Sequence, residues 1–163
     1  MQTSQTYFEV NLLAAWAGIL LGFASGLVFG LSFHREQWLG GYSSFKRRLY
    51  RLGHISFFGL AVVNFMFYFT ARTFLHPGPF ALVASSAFVM GAVTMPACCF
   101  ATAHIPAARA LFSIPVLSLL LAGALTLVVI WKEMKHEPGR YSLMPQPVAT
   151  SASDPASRLT STP

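Results

Sequence analysis

The chain has 163 residues, of which 55% are hydrophobic, 10% are charged and 14% are aromatic, with a formal charge of +6. A soluble domain carries about 25% charged residues, so a water-soluble globule is excluded and a lipid-embedded one expected. The positive charge does not indicate a nucleic-acid partner, because the basic residues flank apolar runs instead of forming a separate basic arm.

The first apolar run, from about Val10 to Phe33, is long enough for a hydrocarbon core that needs ~20 residues of helix. Its leading segment, MQTSQTYFE, lacks the positive charge of a secretory signal, and the run exceeds a signal's apolar stretch; the helix is expected to be retained. Within it Ala14, Gly18, Gly22, Gly26 and Gly30 recur every four residues and fall on one narrow face. Such a face lets a second backbone approach closely, which in lipid takes the place of the hydrophobic drive available in water. The approaching helix can belong to the same chain, to a second copy or to a partner subunit.

A polar connection, His34 to Tyr50, follows, with a turn at Gly40-Gly41 and the cluster Lys46, Arg47, Arg48. Its second half is expected to begin the next helix. The second and third runs, about Leu52 to Ala71 and Phe80 to Ala103, are separated by a breaker at His76-Pro77-Gly78-Pro79, which makes them antiparallel neighbours. After His104-Ile105-Pro106 a fourth run extends from about Leu111 to Trp131, closed by mixed charge over Lys132 to Glu137. From Pro138 onward the chain is rich in Pro, Ser and Thr and has too little apolar surface to fold, so a disordered tail over 138–163 is expected. The fold class is therefore an all-α membrane protein, an antiparallel four-transmembrane-helix bundle with residues 1–137 as its folded domain.

Orientation follows from the Lys and Arg beside the spans, since cytoplasmic loops retain an excess of them. One side carries Arg35, Lys46, Arg47, Arg48, Arg51 and Arg109; the other carries Arg72, Lys132, Lys135 and Arg140. Six against four predicts both termini outside the cytoplasm, in a plasma (inner) membrane. Arg47, Arg48, Lys46 and Arg51 also suit anionic lipid headgroups.

Candidate chemistry is sparse. His54, His104 and His34 fall at similar depth near one membrane face, and imidazoles converging there suit a haem iron or another transition metal. The competing view is that histidine at headgroup depth is an ordinary boundary residue. Met95, Cys98 and Cys99 place three soft sulfur groups at i, i+3 and i+4 beside Pro96, a set compatible with Cu(I) but equally with apolar filling of a proline-distorted helix. The adjacent cysteines point apart on a helix and cannot bridge. Asn64 is a strongly polar side chain within a span, read as an interhelical hydrogen bond or as a ligand contact near the midplane. No Asp or Glu lies within the spans, which counts against proton-coupled transport. Neither a metalloprotease His-Glu pair, a nucleophile elbow nor a phosphate loop is present. The expected function is that of a non-catalytic accessory or assembly subunit, acting through a membrane protein partner or a homo-oligomer. The alternative is a haem- or metal-binding redox protein using His54 and His104.

Overall fold

The computed structural model describes residues 2–32, 34–74 and 78–136, with side-chain surroundings for 8–32, 34–74 and 78–135. It contains four long helices: α1 (Gln2–Ser32), α2 (Phe45–Ala71), α3 (Pro79–His104) and α4 (Ser113–His136). Each is long and apolar enough to cross a membrane. In lipid the backbone must satisfy its own amides, and continuous helices do so segment by segment. The chain is an integral, multi-pass membrane protein with a four-helix bundle architecture. The expected tail lies outside the described residues.

The helix boundaries extend beyond the apolar runs. α1 begins eight residues before Val10, and α2 begins at Phe45, well ahead of Leu52. Ser44 explains the early start of α2: its hydroxyl accepts from the Arg47 amide at 3.2 Å, the N-cap contact that satisfies an otherwise orphaned donor. The same hydroxyl donates to the Leu39 carbonyl at 2.6 Å, tying the preceding loop to the helix end. That loop makes a 3-10 turn at Trp38–Gly40, with Leu39, Gly40 and Gly41 at positive φ. Leu39 carries a side chain in this left-handed region, where glycine is the usual occupant, so the Ser44 bond helps to hold a strained turn. A second 3-10 segment, Pro106–Phe112, leads into α4.

Sequential helices pack as antiparallel pairs, α1 on α2, α2 on α3 and α3 on α4, and α1 also touches α3, to which it runs parallel. α3 is thus the central helix: 39% of its most apolar window is buried within the chain, against 11% for α1 and 17% for α4. Small residues permit this. Ala81, Ala84 and Ser85 are buried on α3, and Gly91 seats Leu119 of α4 so closely that an added Cβ would lie 2.4 Å from its side chain. The glycine-faced α1 packs at the bundle's margin, against α2 and in part against α3.

The two ends of the bundle differ. The main apolar cluster, including Phe8, Phe67, Ala71, Phe74, Ala81, Ala84 and Phe88, gathers where α1 and α3 begin and α2 ends. This is the amino-terminal end. The opposite, basic end carries Arg35, Lys46, Arg47, Arg48, Arg51 and Arg109.

Candidate functional site

Among the described residues, hydrogen bonds between side chains of different helices form three groups. The most buried joins three helices near the amino-terminal end. Asn11 of α1 donates through Nδ2 to Asn64 Oδ1 on α2 at 2.9 Å and to the Ser85 carbonyl on α3 at 3.3 Å. The Ser85 hydroxyl donates back to Asn11 Oδ1, and Asn64 Nδ2 donates to the Leu60 carbonyl at 2.9 Å. Asn11 and Asn64 are fully buried. Both amide hydrogens of Asn11 are engaged, so neither buried donor is left unmet. Asn64 lies seven residues before the end of α2 and Ser85 six after the start of α3. At 1.5 Å rise per residue the cluster is therefore about 10 Å inside the bundle end. Asn11 escaped that reading because it opens an apolar run, where a polar residue resembles a boundary; its match in depth to Asn64 was the available signal.

The second and third groups hold histidines at the basic end. Ser25 of α1 and His54 Nδ1 of α2 are 2.9 Å apart, with Ser25 also donating to the Gly22 carbonyl at 3.0 Å. The His54 ring lies 5.7 Å from Phe29 and 5.4 Å from Phe58, and Gly26 gives it room, since an added Cβ would sit 3.0 Å from its Cε1. Tyr50 and His104 Nε2 are joined at 2.8 Å. The Tyr50 ring also contacts Phe29 at 5.7 Å and Phe100 at 5.2 Å, so that α1, α2 and α3 meet around it. His54 and His104 thus occupy the same end, each with its own hydroxyl partner. His34 is exposed in the first loop. Among the described residues no three His, Cys, Asp or Glu side chains gather closely enough to hold a metal ion.

The sulfur residues of α3 diverge. Cys98 directs its thiol to the Leu111 carbonyl at 3.5 Å, toward the segment leading into α4, whereas Cys99 lies against Gly53 of α2. The structure does not bring these two thiols into one ligand set, because adjacent helical positions face different neighbours.

The small-residue stripe of α1 faces α2 over most of its length. An added Cβ on Gly18 would meet the Phe57 carbonyl at 3.1 Å, and one on Gly22 would meet the Phe58 ring at 2.6 Å. Gly30 has nothing within 4 Å. The helices stay close here because these positions lack side chains.

Between α1 and α3, with α2 as its floor, lies an apolar cleft of ≈ 330 Å³, its walls including Ala17, Gly18, Ala61, Pro96, Ala97 and Phe100. A second hollow, lined by Val10 and the outer face of α3 from Leu82 to Val93, adjoins it at Val93. Outside the cleft, at the basic end, the Arg47 guanidinium stacks 3.8 Å over Tyr42 and 5.7 Å from Trp38, burying that cation among rings. Arg109 stands 5.5 Å over Phe45. At the other end Arg72, Lys132 and Lys135 lie over Tyr68, Phe80 and Trp131 respectively, so cations and aromatic rings mark both interfaces. Comparison with known protein families, characterised proteins and solved structures returns no match for this chain.

Proposed function

We propose that this protein works by association, as a non-catalytic accessory or assembly subunit of a membrane complex. The observation that carries the reading is the small share of α1 and α4 covered within the chain, 11% and 17% of their apolar windows. Leu13, Trp16, Leu20, Phe23 and Leu27 of α1 all point outward, as do Leu117, Leu120, Leu127 and Trp131 of α4. Lipid covers such faces adequately, but a partner helix competes with lipid at little cost, because transmembrane association rests on shape and van der Waals contact. Asn11, Asn64, Ser85 and Ser118 meanwhile bond to one another or to the backbone. Purification in mild detergent with identification of co-purifying chains tests the reading: stoichiometric membrane partners or a defined homo-oligomer support it, and a monodisperse lone monomer overturns it.

A second reading, haem or metal binding through His54 and His104 with His34 nearby, has one observation in its favour. Each of the first two imidazoles has one nitrogen engaged by a hydroxyl, Ser25 or Tyr50, leaving the other nitrogen for a ligand bond, as metal-bound histidines are commonly arranged. A Soret band or bound metal abolished by His54→Ala supports it; protein purified with neither rules it out. For orientation, the basic end is assigned to the cytoplasm and both termini to the opposite side of a plasma (inner) membrane, following the Lys and Arg excess. A C-terminal tag digested by protease added from the cytoplasmic side would contradict that assignment.

A further inference from the structure

α1 and α3 are pinned together through Asn11 and Ser85 near the amino-terminal end, and the cleft between them lies on the basic-end side of that pin. Every residue lining the cleft is apolar. It therefore receives hydrocarbon and rejects a polar head. Its volume of ≈ 330 Å³ falls at the lower end of the ~300–1,000 Å³ typical of ligand sites. The α3 wall runs from Ala92 to Phe100. At 1.5 Å per residue that wall is about 12 Å long. A hydrocarbon chain fits along such a wall.

The end of the cleft is defined by Phe100, whose ring packs at 5.2 Å against Tyr50, and Tyr50 in turn meets the exposed His104. An amphiphile whose tail lies in the cleft thus places its head beside a phenol and an imidazole. It does so at the end of the molecule that holds Arg35, Lys46, Arg47, Arg48, Arg51 and Arg109 against a single acidic residue, Glu36, among the described residues. The described residues of the opposite end carry Arg72, Lys132 and Lys135 against Glu9 and Glu133. Charge therefore selects an anionic head over a neutral one.

We propose that the cleft between α1 and α3 is the binding site of one anionic phospholipid, an acyl chain lying along Gly18, Phe57, Ala61 and Ala97 and the phosphate seated by Tyr50 and His104 at the basic end. The site is separate from the outward faces of α1 and α4 that serve association. It also agrees with a cytoplasmic basic end, since the cytoplasmic leaflet carries the anionic lipids.

The test is native mass spectrometry of the full chain released from detergent with dioleoyl phosphatidylglycerol or dioleoyl phosphatidylcholine, lipids with identical tails and different heads. The expected result is one retained lipid per chain, with phosphatidylglycerol favoured roughly fivefold or more, the effect of engaging about one surface cation. Ala17→Leu with Ala97→Leu fills the cleft from two exposed positions and should remove the bound lipid while circular dichroism shows the same helix content. Tyr50→Phe with His104→Ala should keep the lipid but narrow the preference between heads. Equal retention of the two lipids by the unaltered chain would overturn the proposal, as would undiminished retention by a folded, filled variant. Replacement of lipid adducts by dimers would assign the cleft to a second copy and overturn it too.

Discussion

The two ends of the bundle solve the same problem, holding α1 to its neighbours in lipid, by different means. At the amino-terminal end three buried polar side chains from three helices bond to one another beside the phenylalanine cluster of Phe8, Phe67 and Phe88. At the basic end α1 meets α2 through the rings Phe29 with Tyr50 and Phe29 with His54, plus the Ser25–His54 pair, and Tyr50 joins α2 to His104 of α3. The difference lies in burial: the amino-terminal bonds are sealed among three helices, whereas those at the basic end are part-buried or exposed, and a hydrogen bond is stronger where the surroundings are less polar. The cleft opens on the side of the molecule that has the more exposed bonds.

The contrast can be broken most forcefully along the glycine stripe. Gly22→Leu must displace the Phe58 ring, and overpacking of this kind costs ~1–3 kcal/mol. Gly30→Leu, facing open space, should leave stability within about 0.5 kcal/mol of the parent. Equal losses for the two substitutions, measured by unfolding in mixed micelles, would show that α1 does not pack on α2 through this stripe. A smaller effect is expected from Asn64→Ala, which removes the acceptor of Asn11 at the buried end; interhelical hydrogen bonds in membranes contribute about 0.6 kcal/mol and up to about 1.7. The smallest belongs to Tyr50→Phe, which deletes the hydroxyl bonded to exposed His104 and should change stability by less than about 0.5 kcal/mol in the same assay. A larger loss for Tyr50→Phe than for Asn64→Ala would reverse the ranking of the two ends.

Much of the fold was legible in the residues, because an apolar run of transmembrane length leaves the backbone one economical conformation. The helices, their order and the antiparallel pairing of sequential neighbours all followed from that constraint. Helix starts were less legible. Apolar runs mark where hydrocarbon contact begins, whereas α2 starts where Ser44 supplies a cap, seven residues earlier than Leu52. The marginal place of α1 was hidden too, since a small-residue face shows that a neighbour comes close without showing how many neighbours there are. Among the polar positions, Asn64 was visible by its isolation within an apolar run. Its partner Asn11, and Ser85 bonded in turn to Asn11, were not, because a hydrogen bond between residues 53 or 74 positions apart is fixed by helix register, which composition does not encode. The shared end of His54 and His104 was readable from depth alone, but their separate pairing with Ser25 and Tyr50 depended on helix rotation.

The most direct test of the asymmetry is a double-mutant cycle on Asn11→Ala and Asn64→Ala, with unfolding free energies measured in one micelle or bilayer system. Polar pinning at the amino-terminal end predicts a coupling energy of roughly 0.6–1.7 kcal/mol, so the double variant loses less than the two single losses combined. Strict additivity would contradict the account, for it would mean that the two amides do not hold the helices together.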